Sequence, residues 1–334
     1  MQAAFRRGQE VFLREIDRAE LKPDHVRVRV AACGVCGTDL HVDPAAGDAE
    51  RIMTGHEIAG TVTEVGPAVR GLKVGQRIVL DSATPCGRCE ACRNARQELC
   101  TDIQSYWTDG SFGFAPEMVA PAICAIPCED LTPEVACLQE PLGVAIDLVR
   151  LSDLQITSNV LILGQGPIGL MATALARRAG VRRLFVTEFK ERTRRVELAR
   201  RFGADAVLDP RDTPIEQHDF GCAIDRILVT APPRALPGAF AAAAKGGIVS
   251  FIGIEHGTGA TCSFDANAFH FKKLQLRASF ASPALFGPLA LQYLREGVVD
   301  GPALISHRFP LAQIAQAIAS ARNDPTAVKV VVIP

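Results

Sequence analysis

Four cysteines lie within the segment CGRCEACRNARQELC, with the spacing C-x2-C-x2-C-x7-C. Thiolates separated by two residues can turn back onto one ion, and zinc prefers four ligands in a tetrahedron. The sequence therefore predicts a zinc site formed by Cys86, Cys89, Cys92 and Cys100. Four thiolates leave no open position for a reactant, so the predicted site is structural. An iron–sulfur cluster fits less well because no Cys-Pro closes the run as in ferredoxin patterns.

The other cysteines are interpreted as metal ligands or buried thiols rather than as disulfide partners. The N-terminal segment MQAAFRRGQEVFLREIDRAE has no apolar stretch long enough for a signal peptide. The longest apolar runs are also far short of the roughly 20 residues that a membrane-spanning helix needs. We therefore expect a cytoplasmic protein without a membrane partner, in a reducing compartment where disulfides are rare. The odd number of cysteines, 11, agrees with this expectation.

The charge balance argues against a nucleic-acid partner. The chain has 36 basic and 37 acidic residues and a net charge of -1, whereas a zinc-structured nucleic-acid module is expected to carry a basic surplus. Hydrophobic residues make up 48% of the 334 residues, which is enough for a large core. This length suggests two domains of roughly 100–200 residues each.

Two kinds of hydrophobic pattern distinguish the first part of the chain from the middle part. Residues 1 to about 80 contain short alternating runs, such as His25–Ala32, Ile58–Val65 and Gln76–Leu80, separated by glycine, proline and acidic turns. This pattern predicts an antiparallel, partly barrel-like β domain, followed by the cysteine-rich lobe at about 81–110. From about residue 145, strands alternate with helices, which implies a parallel, doubly wound sheet and an α/β fold class. After about residue 275 the texture is mixed again.

Individual elements follow from the same reading. The predicted strands of the α/β part are Val160–Leu163, Arg183–Thr187, Ala206–Leu208, Cys222–Val229 and Ile248–Ile252. The predicted helices between them are Pro167–Ala179, Arg192–Phe202 and Leu236–Ala244. In the C-terminal part we expect helices at Pro288–Glu296 and Leu311–Ala321 and a strand at Val328–Ile333.

A glycine-rich turn opens the α/β part. The sequence VLILGQGPIG is a buried strand that leads into G-x-G-x-x-G at Gly164, Gly166 and Gly169. These glycines permit a tight turn, close approach of a pyrophosphate and close packing of helix on strand, and the helix N-terminus attracts phosphate. We expect the whole turn, with Pro167 and Ile168, to bind a dinucleotide.

The residue that follows the next strand bears on which dinucleotide binds. This residue is Glu188. A carboxylate in this place accepts hydrogen bonds from the adenine ribose and repels a 2′-phosphate, so the sequence predicts that NAD is preferred over NADP. Arg192, Arg194 and Arg195 follow closely. They are interpreted as the solvated face of the next helix, although arginines in this place can hold a 2′-phosphate.

A second set of metal-binding residue types lies outside the cysteine loop. CGVCGTDLH spans residues 33–41, GHE spans residues 55–57, and QEPLG contains Glu140. Cysteine, histidine and glutamate supply soft, intermediate and hard donors, a mixture suited to zinc with one position left for water or substrate. Each motif alone is weak, and the inference rests on their combination.

These motifs resemble the zinc-containing medium-chain alcohol dehydrogenase family over nearly the whole chain. The resemblance is carried by CGVCGTDLH, GHEIAGTVTEVG, the cysteine loop, EPLGVA, LGQGPIG, FGAD and Gly246–Gly247, in the family's order. It implies a GroES-like catalytic domain formed by residues 1–145 and 276–334. A Rossmann NAD(P)-binding domain at 146–275 is implied between them.

The resemblance also implies roles for individual residues. Cys36 and His56 resemble ligands of a catalytic zinc, and Glu140 the third ligand in the branch of sorbitol and polyol dehydrogenases. Glu57 is similar to the glutamate that binds this zinc directly or exchanges with Glu140, and which carboxylate coordinates at rest stays open. Cys137, near Glu140, is interpreted as a core residue.

Two further positions complete the implied site. Thr38 matches the hydroxyl that contacts the substrate oxygen. His41 either continues a proton path or is a surface-loop histidine. With zinc bound, the substrate hydroxyl loses its proton more readily.

The predicted function is oxidation of a secondary alcohol of a polyol, sugar or cyclitol to a ketone, with hydride transfer to NAD(P). Two zinc ions per chain are expected, one catalytic and one structural. The alternatives are a dehydrogenase of a vicinal diol or a threonine-like hydroxy amino acid, or a member of the family without catalysis. Relatives suggest a homodimer or homotetramer.

Overall fold

The computed structural model describes residues 1–41 and 49–334. These residues form two compact units, one of residues 1–41, 49–143 and 281–334 and a second of residues 144–280. The boundaries expected from the sequence, 145/146 and 275/276, compare with 143/144 and 280/281 in the structure. None of the helices in the described part of the chain is long and apolar enough to cross a bilayer.

Strands and helices are numbered in chain order. The strands are β1 (Gln2–Arg7), β2 (Glu10–Glu15), β3 (His25–Gly34), β4 (Arg51–Ile52), β5 (Glu57–Val65), β6 (Arg77–Leu80), β7 (Glu117–Pro121), β8 (Ala125–Pro127), β9 (Asn159–Leu163), β10 (Arg183–Thr187), β11 (Ala206–Leu208), β12 (Arg226–Val229), β13 (Ile248–Phe251), β14 (Gln275–Ala278), β15 (Ile305–Pro310) and β16 (Lys329–Ile333). The helices are α1 (Gly37–Leu40), α2 (Glu90–Arg93), α3 (Pro133–Ala136), α4 (Gln139–Leu151), α5 (Pro167–Arg178), α6 (Thr193–Arg201), α7 (Leu236–Ala242), α8 (Ala266–Phe271), α9 (Gly287–Arg295), α10 (Gly301–Leu304) and α11 (Ile314–Asn323).

The first unit is built on a mostly antiparallel sheet with the strand order β15-β16-β3-β5-β6-β8, and β7 pairs with β3. Only β15 and β16 run parallel to each other among these described pairs. In β3, Val26, Val28 and Val30 alternate along the strand and are buried in the core of this unit. Side chains two residues apart share one face of a strand, so this alternation fixes the register of β3 against its neighbours.

The second unit contains a parallel sheet with the order β11-β10-β9-β12-β13-β14. Every residue of β9 is buried, as expected for a central strand of such a sheet. The chain runs outward through β10 and β11, then returns to the other side of β9 with β12. In open α/β sheets, ligands bind where the strand order reverses, beyond the carboxyl ends of the strands. Here this point lies after β9 and β12.

Several sequence predictions of elements match the structure closely, and others need correction. Arg183–Thr187 and Ala206–Leu208 are the bounds of β10 and β11. The strand predicted at Cys222–Val229 begins only at Arg226, because pairing with β9 begins with Arg226 opposite Val160. The helix predicted at Leu311–Ala321 starts as a short 3-10 turn and becomes α-helical at Ile314.

Candidate metal centres and dinucleotide site

The four cysteines of the predicted structural zinc site converge. Their Sγ atoms all lie within 4.8 Å of one another. Backbone N–H groups of Cys86 and Cys89 donate to the sulfur atoms of Cys100 and Cys86, both at 3.3 Å. Hydrogen bonds from backbone N–H groups, those of Cys92 and Thr101 first, lower the pKa of Cys89 to about 6. This favours the thiolate, which is the form that binds metal.

The local chain geometry explains why this loop can close on itself. Gly87 has a φ of +71°, which suits glycine and reverses the chain after the first cysteine. Cys89 then caps α2, which brings Cys92 back toward the turn. The donor set is therefore assembled by neighbours in sequence, with four thiolates and no open position, which suits tetrahedral zinc.

The second predicted site is assembled from separate segments. Donor atoms of Cys36, His56 and Glu57 lie within 4.8 Å of one another. Strands β3 and β5 pair antiparallel with Gly34 opposite Glu57. The chain just beyond the end of β3 therefore lies beside the start of β5, which places Cys36 next to His56.

Glu57 is fixed by Lys329, which was not among the site residues predicted from the sequence. The Nζ atom of Lys329 lies 2.6 and 2.5 Å from the two carboxylate oxygens of Glu57 and donates to the Val35 carbonyl at 3.1 Å. Glu57 is fully buried and Lys329 is 2% exposed. Burial alone would lower the pKa of Lys329, but the Glu57 carboxylate holds it above its ordinary value. The only signal in the sequence was one cation in the apolar strand KVVVI.

The space for this carboxylate comes from a glycine. A Cβ atom on Gly34 would lie 1.9 Å from Oε2 of Glu57. Any side chain at position 34 would therefore collide with the buried carboxylate, and residues 34 and 57 must be compatible.

Asp39 connects the two segments that carry Cys36 and His56. Its buried carboxylate accepts from the backbone N–H of Cys36 at 2.9 Å and from the hydroxyl of Thr54 at 3.0 Å. This contact also holds α1, on which Thr38 is exposed. Asp39 was not among the predicted site residues, although it lies inside CGVCGTDLH.

The backbone at the end of α1 is held by Arg6. Its guanidinium donates to the His41 carbonyl at 2.8 Å and to the Asp39 carbonyl at 2.7 Å. His41 itself is half-buried. The structure thus places the predicted relay residues Thr38 and His41 on a fixed segment directly after Cys36, and their roles remain predictions.

Glu140 lies at the start of α4, outside the group of three donors defined by the 4.8 Å limit. Its Oε1 atom accepts from the Ser82 hydroxyl at 3.4 Å. Burial raises the pKa of Glu140 to about 7, and His56 acts in the opposite direction. Cys137 is buried in the protein core, with its thiol directed to the Glu134 carbonyl at 3.1 Å.

The residues of the second site fit a metal cation. The Nδ1 atom of His56 is buried and has no hydrogen-bond partner among the described residues. Burial alone would lower the pKa of His56, but Cys36, Glu140 and Asp39 raise it well above the ordinary value. The thiol of Cys36 and the carboxyl groups of Asp39 and Glu140 thus act together on one buried imidazole, an arrangement that a bound cation stabilises.

The glycine-rich turn has the shape expected of a dinucleotide-binding loop. Gly164 has a φ of +93° directly after β9, so the first glycine is required by the backbone. A Cβ atom on Gly166 would meet nothing within 4 Å, which leaves open space at the start of α5. A Cβ atom on Gly169 would lie 2.1 Å from the Gly164 carbonyl, so the third glycine permits helix and strand to pack closely. Pro167 and Ile168 form the first turn of α5, between these glycines.

Residues beyond the motif hold this turn. The Thr187 hydroxyl accepts from the Gly164 N–H at 3.1 Å, and the Thr230 hydroxyl donates to the carbonyls of Leu163 and Gly164 at 3.0 and 2.9 Å. Gln165 is fully buried and is hydrogen-bonded to Thr173. Thr187 and Thr230 follow or end strands that neighbour β9, so only the sheet order shows their role.

Glu188 is buried at the end of β10, where the sequence analysis expected it. Its carboxylate accepts from the Phe189 N–H at 2.8 Å, and Arg195 lies 3.7 Å away as its ion-pair partner. Arg192 is the N-cap residue of α6, and its backbone N–H donates to the Phe189 carbonyl at 2.9 Å. A cavity of about 510 Å³ adjoins Glu188. Its lining includes Glu188, Lys190, Thr193, Val196, Glu197, Arg200, Val207, Asp209 and Asp212.

Comparison with known proteins agrees with this geometry. Residues 22–130 match the family model of the alcohol dehydrogenase GroES-like domain, and residues 167–290 match that of zinc-binding dehydrogenases. A sorbitol dehydrogenase of Arabidopsis thaliana is 32% identical over 92% of this chain and 88% of its own. An L-threonine 3-dehydrogenase of Pyrococcus horikoshii is 36% identical over 80% of this chain and 79% of its own.

A solved structure extends the comparison to three dimensions. A zinc-binding dehydrogenase of Sinorhizobium meliloti 1021, crystallised with NADP, superposes with a TM-score of 0.86 at 28% identity, covering 100% of this chain and 99% of its own. The chain belongs to the zinc-containing medium-chain alcohol dehydrogenase family and is an oxidoreductase. The predicted fold class and the resemblance to the sorbitol and polyol dehydrogenase branch are confirmed.

Proposed function

We propose that this enzyme oxidises a secondary alcohol of a polyol, sugar or cyclitol to the ketone and transfers the hydride to NAD. The observation that carries the proposal is the group formed by half-buried Cys36 and buried His56 and Glu57, because this mixed donor set suits a zinc ion with a position left for a substrate oxygen. The sorbitol dehydrogenases among the relatives support a polyhydroxylated substrate.

Two zinc ions per chain belong to the proposal, one at each donor group. The four cysteines would hold the structural ion. Cys36 and His56 would hold the catalytic ion together with a carboxylate, and a zinc ion in that position favours loss of the hydroxyl proton from a bound alcohol. Glu57 lies closest to the other donors but is held by Lys329, so we propose that Glu57 and Glu140 exchange as the third ligand.

The protein's own residues position the substrate and move its proton. Thr38, exposed next to Cys36, accepts the proton from the substrate hydroxyl and passes it outward, and His41 extends this path. Asp39 and Arg6 keep this segment in place through the backbone contacts described above. Lys329 forms an ion pair with the buried carboxylate of Glu57 and holds it in position.

Glu188 supports NAD as the preferred cofactor. Its carboxylate repels a 2′-phosphate, and Arg195 is already paired with it. In the adjoining cavity four carboxylates outnumber the cations Lys190 and Arg200. We expect Glu188→Ser to reduce the preference for NAD over NADP, measured as the ratio of kcat/KM values. Arg201→Ser, at the far end of α6, serves as the control and should leave the ratio unchanged.

The decisive experiment is a substrate panel read at the nicotinamide absorbance, with NAD and NADP in parallel. Sugar alcohols, cyclitols, 2,3-butanediol and L-threonine separate the candidate substrate classes. We expect the highest kcat/KM for a polyol or cyclitol as substrate with NAD as cofactor. Absence of turnover with every alcohol, in protein shown to contain two zinc ions, would contradict it and favour a member of the family without catalysis.

A hydroxy amino acid is the second candidate substrate, and a vicinal diol the third. Four archaeal L-threonine 3-dehydrogenases match at 36–37% identity, over 72–80% of this chain. These matches favour the hydroxy amino acid over the vicinal diol. Turnover of L-threonine above that of all polyols would establish this alternative. We also propose a homodimer or homotetramer, which light scattering of the purified protein tests.

A further inference from the structure

Trp107 lies beside the proposed catalytic metal site. It is the single tryptophan of the chain and is 44% exposed. The centroid of its ring system lies 5.5 Å from that of His56, with the two planes at 59°. His56, by contrast, is 5% exposed. Next to this buried imidazole there is therefore an indole that is partly exposed to solvent.

The segment that carries Trp107 is anchored on both sides. The preceding Tyr106 is fully buried, and its hydroxyl donates to the His56 carbonyl at 3.0 Å. The Ser105 hydroxyl accepts from the Trp107 N–H at 3.1 Å and donates to the Ser82 carbonyl at 2.7 Å. After the turn, Gly110 has a φ of +64° and its N–H donates to the Trp107 carbonyl at 3.3 Å.

These anchors connect the indole to the site. Ser82 also donates to Glu140, so one short chain of hydrogen bonds links the carboxylate to the backbone of Trp107. A large apolar side chain that is exposed yet held on a fixed backbone loses little freedom when a ligand covers it. Single exposed apolar residues are common on protein surfaces and need no explanation by themselves. Trp107 differs from such residues because it also contacts His56 of the proposed metal site.

An indole face has a definite chemical preference. Its electron-rich face attracts weakly positive C–H groups, and its edge carries one N–H donor. A polyol chain or a sugar ring offers both matching features, because its C–H bonds form apolar faces between hydroxyl groups. A short diol offers a much smaller C–H face to the indole than a polyol chain or a sugar ring does.

We propose that Trp107 is a substrate-binding residue that stacks against the C–H face of the substrate beyond the reacting carbinol carbon. It thereby selects polyhydroxylated chains and rings over short diols. This inference rests on the proposed function and names the residue that determines its substrate class. An ammonium group would also be attracted to the indole face. A hydroxy amino acid is therefore the competing occupant in the test.

The kinetic test compares Trp107→Ala and Trp107→Phe with the wild type. For D-sorbitol and myo-inositol we expect the Ala variant to lose at least about tenfold in kcat/KM, mainly through KM, and the Phe variant to recover most of the loss. For 2,3-butanediol the change should stay below about threefold. Phe271→Ala removes another exposed aromatic side chain, in the second unit, and should leave kcat/KM unchanged for both the polyols and 2,3-butanediol. Equal losses for polyols and butanediol, or a loss confined to L-threonine, would overturn the inference.

A binding test needs neither turnover nor a variant. Because the chain has one tryptophan, its emission reports on Trp107 alone. Titration of the zinc-loaded enzyme with D-sorbitol or myo-inositol, without nicotinamide, should change the emission saturably, at concentrations near KM. 2,3-Butanediol should leave it nearly unchanged. If polyols are turned over but leave the emission unchanged, the inference about Trp107 is overturned and the proposed function stands. If the wild type does not turn over polyols, the proposed function itself is contradicted.

Discussion

The two groups of candidate metal ligands in this protein are built in opposite ways. The four cysteines come from one continuous loop, are mostly half-buried, and are brought together by a glycine turn and a short helix. Cys36, His56 and Glu57 come from separate segments joined by strand pairing. Glu57 in addition requires Lys329 and a glycine opposite it. The first group is thus formed by one local segment, whereas the second depends on supporting residues from distant parts of the chain.

Removal of a donor from the second group should have the largest effect. In His56→Ala we expect kcat/KM to fall by roughly 10³-fold or more, since several kcal/mol of charge stabilisation by zinc are lost. NAD binding, followed by the fluorescence of bound NADH, should survive because the glycine turn lies in the other unit. Near-normal turnover would refute the assignment of this group as the catalytic centre.

Removal of donors from the cysteine loop should affect the fold rather than the chemistry. In a Cys89→Ser/Cys92→Ser variant, zinc content should fall from two ions to one per chain, and the temperature of unfolding should drop. The activity that remains per folded molecule should be close to that of the wild type. Cys222→Ser, at a half-buried cysteine outside both groups, serves as the control. A single zinc ion in the wild type would contradict the contrast between the two groups.

The support around Glu57 can be tested separately from the metal. Lys329→Met leaves a buried carboxylate without its partner, and breaking such a pair costs about 3–5 kcal/mol of unfolding free energy. In the double variant Lys329→Met/Glu57→Gln the charge is gone, so most of this loss should be recovered. Chemical denaturation of the four proteins of the cycle gives the coupling. Additive effects of the two substitutions would show that the ion pair is not the source of the loss.

A smaller effect is expected at the connection between the two regions. Asp81, in the segment that leads into the cysteine loop, accepts from the side chain of Gln139, the neighbour of Glu140, at 2.7 Å. Burial raises the pKa of Asp81 to about 6, above its usual 3.8. The folded state therefore binds more protons than the unfolded state between about pH 4 and 6, and stability falls as pH rises through this window.

Asp81→Asn should remove this penalty. The variant should gain up to about 3 kcal/mol of unfolding free energy above pH 6, and the gain should vanish below pH 4. The amide oxygen still accepts from Gln139, so packing is preserved. Urea denaturation at pH 4, 5, 6 and 8 measures the difference. A gain that does not depend on pH would exclude the protonation of Asp81 as its cause.

The same contrast explains what the sequence could predict. The cysteine loop and the glycine turn are recognisable because their partners are neighbours in the chain. Lys329 and Asp39 were missed, since a buried cation in an apolar strand and an acid inside a motif reveal their partners only after β3, β5 and β16 are paired. The hairpin of β1 and β2 was also missed, because its strands have few fully buried residues.

Gly34 has a consequence for protein engineering. Because its missing side chain is the space that the Glu57 carboxylate fills, positions 34 and 57 share one fixed volume. In a mutant library that varies the two positions independently, most variants will have either a steric clash or an unfilled cavity at this place. One that varies them together can exchange size between the two positions, so that a larger residue at 34 is accepted only with a shorter one at 57.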